Sequence, residues 1–133
     1  MITMNIQSAG VIREKDIIDR DTGDIIEESL DRRILLTLFR LGIKPKNKGF
    51  GYLFDAIKIA IEDPVAASLI TKCVYVDIAR KYRVSPYAVE RDIRTVILNI
   101  PITEFRYNVF VGDMGHYSNK QFIIHIAKYI SCQ

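Results

Sequence analysis

The sequence predicts an all-α protein of about six helices that contains a helix-turn-helix, preceded by a short N-terminal β-hairpin-like extension. Three observations predict this fold class. Apolar residues recur at helical spacing through most of the chain, a Ser-Pro start signal separates two adjacent helical stretches, and an acidic first part differs in pattern from the rest. We therefore expect an extension over residues 1–28 and a helical domain that contains the helix-turn-helix over residues 29–133.

The stretch over residues 74–100 predicts the helix-turn-helix. A first helix would cover residues 75–82 and a second residues 86–100. Ser85 belongs to the residue types that favour the N-cap position. Pro86 suits the first helical position, because the N–H that proline lacks would be unpaired there anyway.

The residues around the corner fit this motif. Small Ala79 allows the second helix to approach the first, Val84 would fill the corner, and Val89 would face back toward Ala79. Arg83 stands where a glycine often makes the turn, so we expect a turn that needs no positive φ. Pro101 would prevent the second helix from continuing.

The second helix has two faces at about 100° per residue. One face is apolar and would pack on the core: Val89, Ile93, Val96, Ile97 and Ile100. The other face is polar: Tyr87, Arg91, Arg94 and Thr95. An ordinary helical hairpin with a solvated arginine face has this pattern, and so has a recognition helix whose N-terminal half meets base edges in a DNA major groove.

Apolar spacing predicts further helices over four ranges: residues 34–41, 52–62, 65–72 and 119–130. Asp63 and Pro64 are suited to open the third of these, and Ser118 or Asn119 to cap the last. Residues 103–111 fit either a short helix or an irregular stretch.

A basic loop follows the first of these helices. Gly42 suits the C′ position, where positive φ ends a helix. The loop then carries three lysines: Lys44, Lys46 and Lys48. The sequence leaves open whether they touch phosphate.

The two parts of the chain carry opposite charge. Residues 1–33 hold 5 Lys and Arg against 8 Asp and Glu, a net −3, whereas residues 34–133 hold 14 against 8, a net +6. A basic body favours polyanions as partners.

In the acidic part, the turn-forming sequence DRDTGD lies between two isoleucine pairs and predicts a hairpin: Ile17, Ile18, Ile25 and Ile26. Because a lone hairpin is marginal in water, it would dock on the body, pair with a second copy or stay mobile.

Signatures of catalysis and of cofactor binding are missing. There is no P-loop and no dinucleotide fingerprint, and His116 and His125 lack motif partners. Cys73 and Cys132 fit no zinc pattern. No apolar run reaches the roughly 18 residues of a membrane span, and no signal peptide is apparent. We therefore expect a non-enzymatic cytoplasmic protein that uses no cofactor, no metal and no membrane.

The charged residues of the helix-turn-helix are the candidate DNA contacts. Arg91 is placed to reach a base edge, where guanine O6 and N7 are its natural partners. Glu90 would accept from a cytosine amino group or orient an arginine, although a simple intrahelical pair with Arg94 explains it equally well. Tyr87 would stack on sugar or touch a thymine methyl. Four cations are candidates for phosphate contacts, which give affinity but little sequence information: Lys72, Arg80, Lys81 and Arg83.

Several stretches carry a family resemblance. VYVDIARKYRVSPYAVERDIR resembles the PDIAKKF…VERAIR pattern of the DNA-binding effector domain of the stage-zero sporulation protein A family of endospore-forming bacteria. LGIKPKNKGFGYLFDAI and SLITKCVYVDIA resemble its LGIPAHIKGYxYLREAI and ITKxLYPDIA. FRYNV and NKQFIIHIA resemble its FGYTV and NSEFIAxxA. The resemblance covers about residues 34–130.

The resemblance implies a six-helix domain that recognises a short promoter element as a transcription regulator. The family's acid–arginine pair on the recognition helix matches Glu90 and Arg91, and its next arginine matches Arg94. The chain departs from the family at three positions of this helix, so we expect a different sequence preference: Tyr87, Ala88 and Thr95.

The resemblance also bears on the N-terminus and on partners. Family members normally carry a phosphorylatable receiver domain before this effector, and residues 1–33 are too short to hold one. We hypothesise that the hairpin replaces it as a docking or dimerising element. Double-stranded promoter DNA is the expected partner, with RNA polymerase and a second copy of the chain as further candidates. The alternative is a helical protein-interaction module or antagonist that kept the fold and lost DNA binding.

Overall fold

The computed structural model describes residues 29–111 and 117–133, together with two short segments near the N-terminus. These segments form the strands β1 (Asn5–Ile6) and β2 (Val11–Ile12), which pair in parallel. The hairpin predicted around DRDTGD lies outside the described residues, so it stays a prediction.

The rest of the described chain is helical, which confirms the all-α class. In chain order the elements are α1 (Leu30–Arg40), α2 (Phe50–Glu62), α3 (Pro64–Ser68), a π-helical segment (Ile70–Val74), α4 (Tyr75–Tyr82), α5 (Pro86–Leu98), α6 (Glu104–Phe110) and α7 (Asn119–Ser131). The described residues thus form seven α-helices, where about six were predicted. The additional helix is α6, over a stretch that apolar spacing left undecided. None of these helices is long and apolar enough to cross a membrane.

The prediction of one helix over residues 65–72 is wrong in its second half. Asp63 caps α3 as expected, accepting from the Ala66 N–H at 3.1 Å. Leu69 then has φ −113° and ψ 52°, outside the helical region, so α3 ends and the π-helical segment leads into α4. Apolar spacing does not reveal this break, because Ile70 and Val74 are buried as they would be in a continuous helix.

Helix α2 lies at the centre of the domain and packs against α1, α3, α4, α5 and α7. Its inner face is fully buried at Leu53, Ala56 and Ile57. The core around it is apolar, and only two buried polar residues occur in the described part of the chain: Thr37 and Asn119. Helix α2 therefore supports both helices of the helix-turn-helix.

Helix α1 ends as predicted. Gly42 has φ +88°, and the N–H of Ile43 donates to the Leu38 carbonyl at 3.0 Å, which closes the last turn. A Cβ atom at Gly42 would lie 2.6 Å from Pro101 Cγ, so the end of α1 contacts the segment that follows α5.

Candidate nucleic-acid interface

Helices α4 and α5 form the predicted helix-turn-helix. Val89 is fully buried and Ala79 is 4% exposed at the contact between the two helices. Ser85 is the N-cap of α5, its hydroxyl accepting from the Ala88 N–H at 3.0 Å, and Pro86 occupies the first helical position. Local sequence signals therefore place the start of α5 correctly.

The corner between α4 and α5 corrects two predictions. Arg83 has φ 59° and ψ 47°, so the turn does require the left-handed region. The N–H of Val84 then donates to the Ala79 carbonyl at 3.0 Å and closes the end of α4. A glycine at position 83 would adopt this conformation without the steric strain that a Cβ atom causes. Val84 is 37% exposed, so it fills the corner only in part.

The outer face of α5 is open to solvent. Of the six residues of α5 that were predicted to contact DNA, only Ala88 is half-buried. The other five are exposed, with Tyr87 at 69%: Tyr87, Glu90, Arg91, Arg94 and Thr95. Leu98 is 71% exposed on the same face and was not predicted. Its position seven residues after Arg91 was the signal that would have revealed it.

Two neighbours hold Arg91. Its Nε–H donates to Asp92 Oδ1 at 3.2 Å, and its guanidinium carbon lies 5.9 Å from the centre of the Tyr87 ring. The side chain of Asp92 is only 13% exposed, so it forms a fixed acceptor. Neither terminal nitrogen of Arg91 has a partner among the described residues. Sequence reasoning missed Asp92, because adjacent residues on a helix do not normally face each other.

The intrahelical pair between Glu90 and Arg94 does not form, and neither side chain makes another ion pair in the described part of the chain. Both lie near the buried hydroxyl of Tyr75. Burial raises the pKa of Tyr75 above its usual value, the hydrogen bond from Asn119 opposes this, and the Glu90 carboxylate and Arg94 have smaller, opposite effects. Glu90 and Arg94 are thus available to a partner.

The four predicted phosphate contacts differ in their surroundings. Lys72 and Arg83 are exposed and form no ion pair with a described residue. Arg80 Nη1 lies 3.2 Å from Asp77 Oδ1 on the surface of α4. Lys81 Nζ lies 2.9 Å from Asp55 Oδ2 on α2, and this hydrogen bond raises the pKa of Lys81. Lys81 is therefore directed toward α2.

Asn119 connects α7 to both helices of the motif. It is 4% exposed, and its Nδ2 donates to the Tyr75 hydroxyl at 3.1 Å and to the Glu90 carbonyl at 3.0 Å. Ser118 caps α7 through a capping box with Gln121, so the cap is Ser118 and Asn119 has a different task. Asn119 fixes one edge of α5 relative to the body.

The fold and this exposed, arginine-bearing helix define a helix-turn-helix domain. Residues 34–130 match the family described as the sporulation initiation factor Spo0A C terminal. The match spans the greater part of the chain and includes the whole helix-turn-helix, so the chain belongs to this family. The family is a DNA-binding domain of sporulation regulators and not an enzyme family, which confirms the resemblance.

Proposed function

We propose that this protein is a sequence-specific transcription regulator that inserts α5, predicted as the helix over residues 86–100, into the DNA major groove. Membership of this family supports DNA binding in general, without identifying the residues that contact DNA. The finer proposal is supported by the outer face of α5, where charged side chains are exposed on a helix whose opposite face is anchored in the core.

The observation that carries the proposal is the orientation of the Arg91 side chain and the lack of partners for its terminal nitrogens among the described residues. Asp92 takes its Nε–H and Tyr87 lies beside its guanidinium, while both terminal nitrogens remain unpaired among the described residues. Two such nitrogens match the O6 and N7 acceptors of guanine. Because the side chain is already oriented, less conformational entropy is lost when it meets a base.

Other residues of the site have supporting roles in the proposal. Glu90, free of Arg94, accepts from a cytosine amino group, and Tyr87 contacts sugar or a thymine methyl. Ala88 and Thr95 stand where the family has other residues, so we expect them to alter the preferred sequence. The Thr95 hydroxyl donates to the Arg91 carbonyl at 3.0 Å, which leaves its oxygen as an acceptor for a DNA group.

Phosphate contacts would hold α5 in register. Lys72, Arg83 and Arg94 are exposed and unpaired within the described residues, which supports this role. Arg80 is highly exposed and its surface pair with Asp77 is weak, so it can exchange that carboxylate for a phosphate. Lys81 would first have to leave Asp55, so its contact with DNA is the least supported of the set.

Three predictions about partners and location remain part of the proposal. A DNA-binding regulator acts in the cytoplasm or nucleoid, contacts RNA polymerase when it controls initiation, and often binds as a homodimer to a two-part site. The hairpin predicted in the N-terminal extension is our candidate for the dimerising element.

Selection from random double-stranded DNA tests the proposal. We expect enrichment of one short motif and an affinity for it that falls steeply with salt, because several phosphates are neutralised on binding. The measurement is a titration of the selected and a scrambled duplex at three salt concentrations. Binding to both duplexes with equal affinity would refute sequence specificity.

Absence of any salt-dependent DNA binding would favour the alternative function. In that case the protein is a helical interaction module or antagonist that kept the fold, and the changes at Tyr87, Ala88 and Thr95 are the observation that favours this outcome.

A further inference from the structure

We propose that the lysine loop (residues 43–48) is a second DNA contact, which binds the phosphate backbone along one wall of the groove that receives α5. This inference rests on the proposed function, because it assigns a neighbouring surface to the same DNA. It adds a contact that lies outside the helix-turn-helix.

The lysine loop is held at one end against the segment that follows α5 and at the other against α5 itself. At one end, a Cβ atom on Gly42 would lie 2.6 Å from Pro101 Cγ. At the other, a Cβ atom on Gly49 would lie 2.3 Å from the Asp92 carbonyl oxygen and 2.9 Å from Val96 Cγ2. The glycines allow approaches that a side chain would prevent, so the loop has a defined place next to the recognition helix.

The loop is folded between these ends. The N–H of Asn47 donates to the Lys44 carbonyl at 3.0 Å, and the N–H of Phe50 donates to the Asn47 carbonyl at 3.0 Å. Ile43 is 3% exposed and anchors the loop in the core. Two consecutive turns therefore hold the lysines close together on one short stretch of backbone.

The charge of the loop is not neutralised within the described residues. No Asp or Glu occurs in residues 41–54. Two other lysines do have an acidic partner: Lys58 Nζ lies 2.9 Å from Asp31 Oδ1, and Lys81 is paired with Asp55. The three exposed loop lysines have no such partner in the described chain, so they concentrate positive potential beside α5: Lys44, Lys46 and Lys48.

The loop lies on the edge of α5 opposite the one that α7 covers. Gly49 contacts the Asp92 carbonyl, whereas Asn119 contacts the Glu90 carbonyl. Glu90 and Asp92 are two positions apart in sequence, which separates them by about 200° around the helix. On the Glu90 edge Asn119 also bonds Tyr75, and the π-helical segment that carries Lys72 ends next to it. Cations thus flank α5 on two sides, as the two phosphate strands flank a helix in the major groove.

The test compares two triple variants of the full chain with the same change in net charge. One is Lys44→Gln/Lys46→Gln/Lys48→Gln in the loop. The matched control is Arg32→Gln/Lys58→Gln/Lys128→Gln on α1, α2 and the last turn of α7. Urea unfolding checks that both fold. The slope of the logarithm of the association constant against the logarithm of salt concentration is then measured on the selected duplex.

We expect the loop variant to lose roughly 2 to 3 from the magnitude of the slope, about 0.9 for each lost phosphate contact, and the control to keep the wild-type slope. The order of preference among base substitutions in the duplex should stay unchanged, because phosphate contacts carry no direct sequence information.

Three outcomes would overturn the inference. A wild-type slope in the loop variant shows that the loop does not touch phosphate, and an equal loss in both triple variants shows a general charge effect. A changed base preference in the loop variant shows that the loop reads bases instead. If wild-type protein shows no salt-dependent binding, the proposed function itself fails, which is distinguishable from these results.

Discussion

In the proposed complex with DNA, single side chains decide what α5 recognises, and Arg91 is the clearest case. Its orientation depends on Asp92 and Tyr87, one from the adjacent position and one from the preceding turn. Two uncharged residues, Gly49 and Asn119, help to position α5. Gly49 permits the approach of α2 to α5, and Asn119 hydrogen-bonds from the body to α5.

Replacing Arg91 with alanine should weaken binding to the selected duplex by about 1–3 kcal/mol and relax the preference at one base position. The reason is that, in the proposed complex, this change removes two donors that bind one base. Titration of a set of duplexes with single base changes measures both effects. Lys128→Ala, in the last turn of α7, is the control and should leave both unchanged. Equal weakening of the variant on every duplex would contradict a base-reading role.

The two glycines at the start of α2 should respond in opposite ways to alanine. A Cβ atom at Gly49 would meet the Asp92 backbone at 2.3 Å, so Gly49→Ala should lower the free energy of unfolding by about 1–3 kcal/mol. At Gly51 the nearest atom is the Tyr82 hydroxyl at 3.1 Å, at the end of an exposed side chain. Gly51→Ala should therefore be neutral or stabilising by up to about 1 kcal/mol. Urea denaturation of both variants tests this, and similar losses would show that the contact with Asp92 is unimportant.

At the scale of elements, the helices begin where capping residues in the sequence predict them. Backbone strain is found instead in a connection between two helices. Ser85 with Pro86 starts α5, and Ser118 with Gln121 starts α7. The corner of the helix-turn-helix, by contrast, places an arginine in the left-handed region. A residue kept there at a cost in stability is a candidate for a functional contact.

Arg83→Gly should separate the stability of this corner from its function. Glycine relieves the strain at positive φ but increases the entropy of the unfolded chain, so the free energy of unfolding should stay the same or rise by up to about 1 kcal/mol. If Arg83 contacts a phosphate, the magnitude of the salt slope of DNA binding falls by about 0.9 in the same variant. Urea denaturation and salt titration measure the two effects. A clear loss of stability would show that the Arg83 side chain supports the fold.

At the scale of the molecule, α2 packs against five other helices, and α5 is held in place from two sides. Gly49, which follows the lysine loop, lies against one edge of α5, and Asn119 bonds the other. The position of α5 is therefore a property of the whole body rather than of the helix-turn-helix alone.

The hydrogen bonds of Asn119 should make a measurable contribution to stability. Asn119→Ala should lower the free energy of unfolding by about 1–3 kcal/mol, because the buried Tyr75 hydroxyl loses its partner. A double-mutant cycle with Tyr75→Phe tests the cause. We expect the two losses to be less than additive, since each variant alone removes the same bond. Additive losses would show that Asn119 acts only through its packing.

The buried hydroxyl of Tyr75 also predicts a pH dependence. Its pKa is raised in the folded state, mainly by burial, so the unfolded chain releases this proton at lower pH than the folded chain does. The resulting contribution to stability is complete below the ordinary pKa of tyrosine, about 10, and is lost as the pH rises through the folded value. The difference in unfolding free energy between wild type and Tyr75→Phe should therefore shift in favour of the variant above about pH 10. A constant difference between pH 8 and 11 would contradict this.

The sequence by itself determined the features that depend on neighbours along the chain. Helical periodicity, the cap at Ser85 and the C′ glycine at Gly42 placed most elements within a few residues, because backbone sterics and capping act over one turn. The same periodicity placed Arg91 and Arg94 on the outer face of α5. It left α6 undecided and did not show the change to a π-helical segment after Leu69, because the backbone conformation changes there without a change in apolar spacing.

Only the tertiary structure decided which partners these residues meet. The approach of Gly49 to Asp92, the hydrogen bonds of Asn119 and the pairing of Lys81 with Asp55 join positions between 26 and 44 residues apart. Such contacts depend on how the helices pack around α2, which no local pattern encodes. They determine which cations beside α5 are free of an ion pair within the described residues, and so they define the surface that we propose for DNA binding.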